Sequence, residues 1–148
     1  MLLLRSLTKD HGLAGLRLGY AITTPDLLDP IRRVRPPWSV NALAQAAGLA
    51  ALEDVGHIEE ARRVVAESRA YLAEELGALG LGVIPSAANF LLVRVGDGAA
   101  FRSGLLERGV CVRDCASFGL PAYVRIGVRR LEECRRLASA AREVVQGA

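Results

Sequence analysis

The chain has 148 residues, 51% of them hydrophobic, so it can bury a core and does not read as disordered. Its net charge of +3 is spread along the chain, and the densest basic run, Ile31-Arg-Arg-Val-Arg35, is short and ends at Pro36-Pro37, which excludes a nucleic-acid reader. No apolar run is long enough for a membrane span and Met1-Leu-Leu-Leu4 is too short for a leader, so a soluble, cytoplasmic protein is expected.

In chain order, residues 1–7 form a short apolar run that predicts a buried strand. A turn rich in glycine (Gly12, Gly15, Gly19) leads to a second predicted strand over 18–24. Thr24-Pro25-Asp26 is a helix start, with proline at an early helical position. The short helix runs to about Val34 and is stopped by Pro36-Pro37, because proline lacks the N–H and clashes with the preceding turn. That double proline is the expected boundary, with a first region of 1–36 and a second of 37–148.

Two long helices are predicted next. The first covers about 39–53, with Leu43, Ala46, Ala47 and Ala50 on one face. The second covers about 57–79, where Ile58, Ala61, Val65, Leu72, Leu76 and Leu79 keep helical spacing. Gly80 and Gly82 end it. A compact α/β module follows: a strand over 88–95, a Gly96-Asp-Gly98 turn, a helix over 99–108 closed by Gly109, and a strand over 110–113. A loop over 114–121 leads to a strand over 123–128. The last helix, 130 to about 146, turns Leu131, Cys134, Leu137, Ala141 and Val145 inward. The small sheet is expected to have about three strands. Cys111, Cys115 and Cys134 are odd in number and fit no zinc spacing, so free thiols and no metal site are expected.

All 19 basic residues are arginine except Lys9, which lies in the stretch RSLTKDHGLAGLRLGY, residues 5–20. A lysine just past a buried strand has its stem held on rigid backbone. Partial desolvation there lowers its pKa and frees an amine that can attack an aldehyde. Ser6 and Thr8 add hydroxyl donors and Arg17 adds a permanent cation, a set that suits a phosphate beside a reactive amine. A lone lysine at a strand end is otherwise a solvated surface charge. The glycine spacing does not match the dinucleotide fingerprint.

The stretch resembles the cofactor-lysine segment of fold-type I pyridoxal-phosphate enzymes. It is most similar to the branch of histidinol-phosphate aminotransferase and threonine-phosphate decarboxylase. Pro37-Trp-Ser-Val-Asn-Ala-Leu-Ala-Gln45, Ala88-Asn-Phe90, Val112-Arg-Asp-Cys-Ala-Ser-Phe118 and Tyr123-Val-Arg-Ile-Gly-Val-Arg129 resemble later segments of that branch. The resemblance implies an α/β fold: the C-terminal small domain, a sheet with packed helices, plus a remnant of the large-domain sheet in 1–36. It implies pyridoxal 5'-phosphate as cofactor, carried covalently by Lys9, with Ser6, Thr8 and Arg17 on its phosphate. It further implies a small amino acid or amino phosphate substrate and a homodimer.

By the same resemblance Arg125 binds the substrate α-carboxylate. Strand alternation puts Tyr123, Arg125 and Gly127 on one face and Val124, Ile126 and Val128 on the other. Arg113, on a strand face with Cys111, is the candidate for a second anionic group such as a phosphate, and Asn89 for orienting substrate. The family's residues for the pyridine ring precede the lysine, so the chain is expected to be a truncated C-terminal part, and activity of that part alone is not implied. The alternative is a non-catalytic α/β module that associates with a partner chain.

Overall fold

The computed structural model describes residues 1–147, and the chain divides into two compact units, 1–61 and 62–148. In the first unit, β1 (Leu3–Ser6) pairs antiparallel with β2 (Gly19–Ile22), Leu3 facing Ile22 and Ser6 facing Gly19. A single helical turn, α1 (Leu7–Asp10), leaves the end of β1. The strand predicted to be buried is exposed: Leu4 keeps 70% of its surface accessible. Among the described residues β1 and β2 pair only with each other, so neither strand has a second neighbour. Leu7, the residue after β1, is the buried one.

α2 (Pro25–Val34) starts at Thr24-Pro25 and stops before Pro36-Pro37, as the sequence predicts. α3 (Ala42–Glu53) begins three residues later than expected, because Asn41 is its cap: the side-chain carbonyl accepts from Ala44 N at 2.8 Å. Its buried residues are Ala44 and Gly48, not the face through Leu43, which is exposed. Gly48 is where Leu18 closes on the helix, and a Cβ there would collide with the Leu18 Cδ2 methyl. α4 (Val55–Ala78) is the long helix predicted over 57–79. The His57 ring near its start stacks on His11, with centroids 5.5 Å apart.

The second unit holds a four-stranded antiparallel sheet, in order β3-β4-β6-β5, instead of the expected three strands. β3 (Gly82–Ile84) was not predicted; Gly80, at φ +79°, ends the helix and Gly82 already faces Arg94 of β4 (Phe90–Arg94). α5 (Gly98–Glu107) is capped by Asp97, whose side chain accepts from Ala100 N at 2.9 Å. β5 is Arg113–Cys115, shifted from the predicted 110–113, because Val110 N is spent on Leu105 O at 2.9 Å in closing α5. β6 (Leu120–Gly127) lies between β4 and β5, and α6 (Leu131–Gln146) completes the unit.

The core of this unit joins Leu72 and Leu76 of α4 to Leu91 and Val93 of β4 and Val124 and Ile126 of β6. Each side chain of this kind contributes about 1.5–3 kcal/mol when fully buried. Leu105 of α5 and Leu137 and Ala141 of α6 belong to the same cluster. Among the described residues no helix is long and apolar enough to cross a membrane, and no group of three potential ligands is placed to hold a metal ion.

All three cysteines are free, with Cys111 exposed and Cys115 and Cys134 buried. Burial pushes the Cys134 thiol above its ordinary value of 9.0. Keeping that thiol neutral stabilises the fold fully below pH about 9, and the contribution is lost as pH rises toward the raised folded value. Iodoacetamide at pH 8 is therefore expected to modify Cys111 alone, with Cys115 and Cys134 reacting only in denaturant. Mass mapping of the alkylated peptides checks this, and equal labelling of all three in the native chain would contradict it.

Candidate functional site

The sequence-predicted residues fall into two sets. Ser6, Thr8, Lys9 and Arg17 belong to the first unit; Asn89, Arg113 and Arg125 belong to the second.

In the first set, Ser6 ends β1 with extended backbone, and its Oγ accepts from Thr8 N at 3.3 Å, capping α1. The same Oγ lies 2.7 Å from Thr8 Oγ1. Lys9 follows directly and is exposed within this chain, so the partial desolvation expected of it is not supplied by the described residues. Arg5 and Asp10 bracket the segment with a 2.8 Å ion pair.

Arg17 stands at the same end of the strand pair, because Leu7 N donates to Leu18 O at 3.1 Å and Ser6 faces Gly19. Its backbone is left-handed, at φ 53°, an uncommon conformation for a residue other than glycine. Its guanidinium donates to Ala14 O at 3.2 Å. Gly19 permits the close approach of the two strands: a Cβ there would lie 2.7 Å from Arg5 O. Two adjacent hydroxyls, a primary amine and a guanidinium at one strand end form a donor set that fits a phosphate-bearing aldehyde.

In the second set, alternation along β6 is as expected: Val124, Ile126 and Val128 are buried while Arg125 and Gly127 are exposed. Arg113 of β5 is the direct cross-strand partner of Arg125, so both guanidinium stems rise from one sheet face. Neither takes part in an ion pair among the described residues. Each lies on an aromatic ring: Arg113 over Phe118, 4.7 Å from its centroid, and Arg125 over Phe90, at 5.5 Å. Asn89 contributes its backbone carbonyl, which accepts from Val128 N at 2.9 Å and extends the β4–β6 ladder.

Phe90 and Phe118 are site residues that the sequence reading passed over. The signal for Phe90 was its place on the polar side of β4, alternating with buried Leu91 and Val93. No periodicity points to Phe118, which sits in a 3-10 turn, Ala116–Phe118.

The profile of the family described as aminotransferase class I and II matches residues 1–140. The chain belongs to that family, and its fold is that of part of a fold-type I aminotransferase. Histidinol-phosphate aminotransferase from Symbiobacterium thermophilum is 49% identical over 137 residues, which is 92% of this chain and 38% of that protein. The crystal structure of histidinol-phosphate aminotransferase from Sinorhizobium meliloti in complex with pyridoxal-5'-phosphate superimposes with a TM-score of 0.85 at 29% identity, covering 99% of this chain and 41% of that one. L-threonine-O-3-phosphate decarboxylase from Porphyromonas gingivalis gives a TM-score of 0.78 at 27% identity, covering 98% of this chain and 46% of that one. The chain thus spans less than half the length of each of these relatives.

Proposed function

We propose that the chain is the C-terminal part of a pyridoxal-phosphate-dependent enzyme that transaminates, or decarboxylates, a phosphate-bearing amino substrate of the histidinol-phosphate or threonine-phosphate type. In this reading residues 1–36 are the remnant of the cofactor-binding domain, and 37–148 are linking helices and the small domain. The complete enzyme acts as a cytoplasmic homodimer.

The observation that carries the reading is the constellation at the end of β1: the only lysine of the chain beside two hydroxyls 2.7 Å apart. Ser6, Thr8 and Arg17 would hold the cofactor phosphate through hydroxyl and guanidinium donors. When bound, pyridoxal phosphate supplies an electron sink for charge that develops at the substrate α-carbon. Lys9 Nζ would take the α-proton as general base and return it as general acid. Arg125 would grip a carboxylate bidentately where the substrate, or the oxo acid that accepts its amino group, carries one. Arg113, opposite it and equally without an ion-pair partner among the described residues, would take the phosphate, and Asn89 would help orient the substrate.

A second reading has support from the first unit. Leu7, Leu18, Tyr20, Leu49 and Leu52 line an open, largely apolar groove of about 520 Å³, and among the described residues β1 and β2 each have an unpaired edge. A non-catalytic module that associates with a partner chain would present such a face.

Incubation with pyridoxal phosphate, reduction with borohydride and peptide mapping separates the two. A stoichiometric adduct on Lys9 that inorganic phosphate competes away is the result expected of a cofactor site. An adduct confined to the Met1 amino group, or none, would transfer support to the module.

A further inference from the structure

The two arginines of β5 and β6 pose a problem that their own charges do not solve. Like charges directly opposite on a sheet repel, and among the described residues neither arginine forms an ion pair with a carboxylate. Asp114, the acidic neighbour in sequence, alternates to the other face, opposite Val124, and its Oδ1 is occupied in accepting from Ala116 N at 3.2 Å. A flexible arginine in this setting would swing away into water. Arg113 instead lies over the Phe118 ring, whose backbone is placed by the turn that follows β5. The ladder shifts register between Asp114 and Cys115, Cys115 is buried, and the 3-10 turn that follows ends at Gly119, at φ +76°. That chain path turns Phe118 back onto Arg113, five residues earlier, while leaving the ring 56% exposed.

We infer that Phe118 is a positioning residue: its ring face holds the Arg113 guanidinium beside Arg125, and thereby sets the preference of this face for phosphate over a simple carboxylate. The inference rests on the reading of Arg113 as the phosphate-binding arginine. It adds that the binding geometry is set by an aromatic residue that makes no contact with the anion. A guanidinium resting on a ring face uses that face for the contact and leaves N–H groups at its edge free to donate to an incoming oxyanion. A carboxylate held by Arg125 alone would not depend on the ring.

The test is a titration of the 15N-labelled chain with inorganic phosphate and, separately, acetate, following the arginine Nε–H signals. The variants are Phe118→Leu, Phe118→Tyr and Arg113→Gln. Because Phe118 is largely exposed, its substitution is not expected to disturb the core. Phe118→Leu is expected to weaken phosphate binding by about three- to tenfold and to collapse the dispersion of the Arg113 signal. Phe118→Tyr, which restores a ring face, should restore both, and acetate affinity should change less than about twofold throughout. If Arg113→Gln weakens phosphate binding while Phe118→Leu does not, the positioning role is wrong and the phosphate reading stands. If Arg113→Gln leaves phosphate binding unchanged, or the native chain shows no saturable shift at Arg113, the underlying reading fails as well.

Discussion

Lys9→Arg is expected to abolish borohydride-fixed incorporation of pyridoxal phosphate into the segment around residue 9, a loss that should be complete. The substitution keeps the positive charge at the end of β1, so attraction of the cofactor phosphate persists. It removes the only side chain that can present a neutral primary amine, since Lys9 is the single lysine of the chain. A guanidinium stays protonated at any pH the protein tolerates and forms no useful carbon–nitrogen bond with an aldehyde. Peptide mass mapping reads the result directly, with the Met1 amino group as an internal control. An undiminished adduct elsewhere in the chain would mean that the labelling in the native protein reports general amine reactivity.

Leu76→Ala should have the largest effect on stability. Leu76 is fully buried in the second unit, where α4 packs on the sheet. Truncation loses the transfer free energy of the removed carbons and leaves a cavity that the surrounding strands fill only in part. A loss of about 2–5 kcal/mol is expected. That is a large share of the roughly 5–15 kcal/mol that holds a typical domain folded. Trp38 lies in the first unit and is 95% exposed, so hydrogen exchange at the Val124 and Ile126 amides is the better measure. The same chemical change at Leu43, exposed on α3, should stay within about 0.5 kcal/mol. Comparable losses at both positions would contradict the core as described.

These two residues also mark what could be read before the structure. Leu76 was legible because α4 keeps helical spacing over many turns, and the β6 alternation was legible for the same reason at period two. Leu43 was misplaced because α3 is rich in alanine and offers no strong contrast between faces; the buried side is set by Gly48 and the approach of Leu18. β3 is three residues long, too short for a period to show, and it follows a helix-ending glycine. The shift of β5 came from competition for one donor, Val110 N, between the end of α5 and the sheet. The burial expected of residues 1–7 failed for a different reason: apolar composition was read as burial, and among the described residues the strand has one neighbour only.

The candidate site divides along the same line. Lys9 stood out chemically, as a single exception in an arginine-only chain. Arg125 came from the family resemblance, and strand alternation agreed with it by placing the side chain outward. Phe90 and Phe118 did not, because a ring beneath a guanidinium depends on strand pairing and on a turn, neither of which sequence spacing encodes.

In the second half of β6, Val124 and Ile126 are locked into the core while Arg125 and Gly127 face outward. On the proposed role of Arg125, stability and recognition are written on alternate letters of one short segment. Mutational drift at the outward positions would then retune which anion is accepted without first loosening the fold, and the inward valine and isoleucine need never take part.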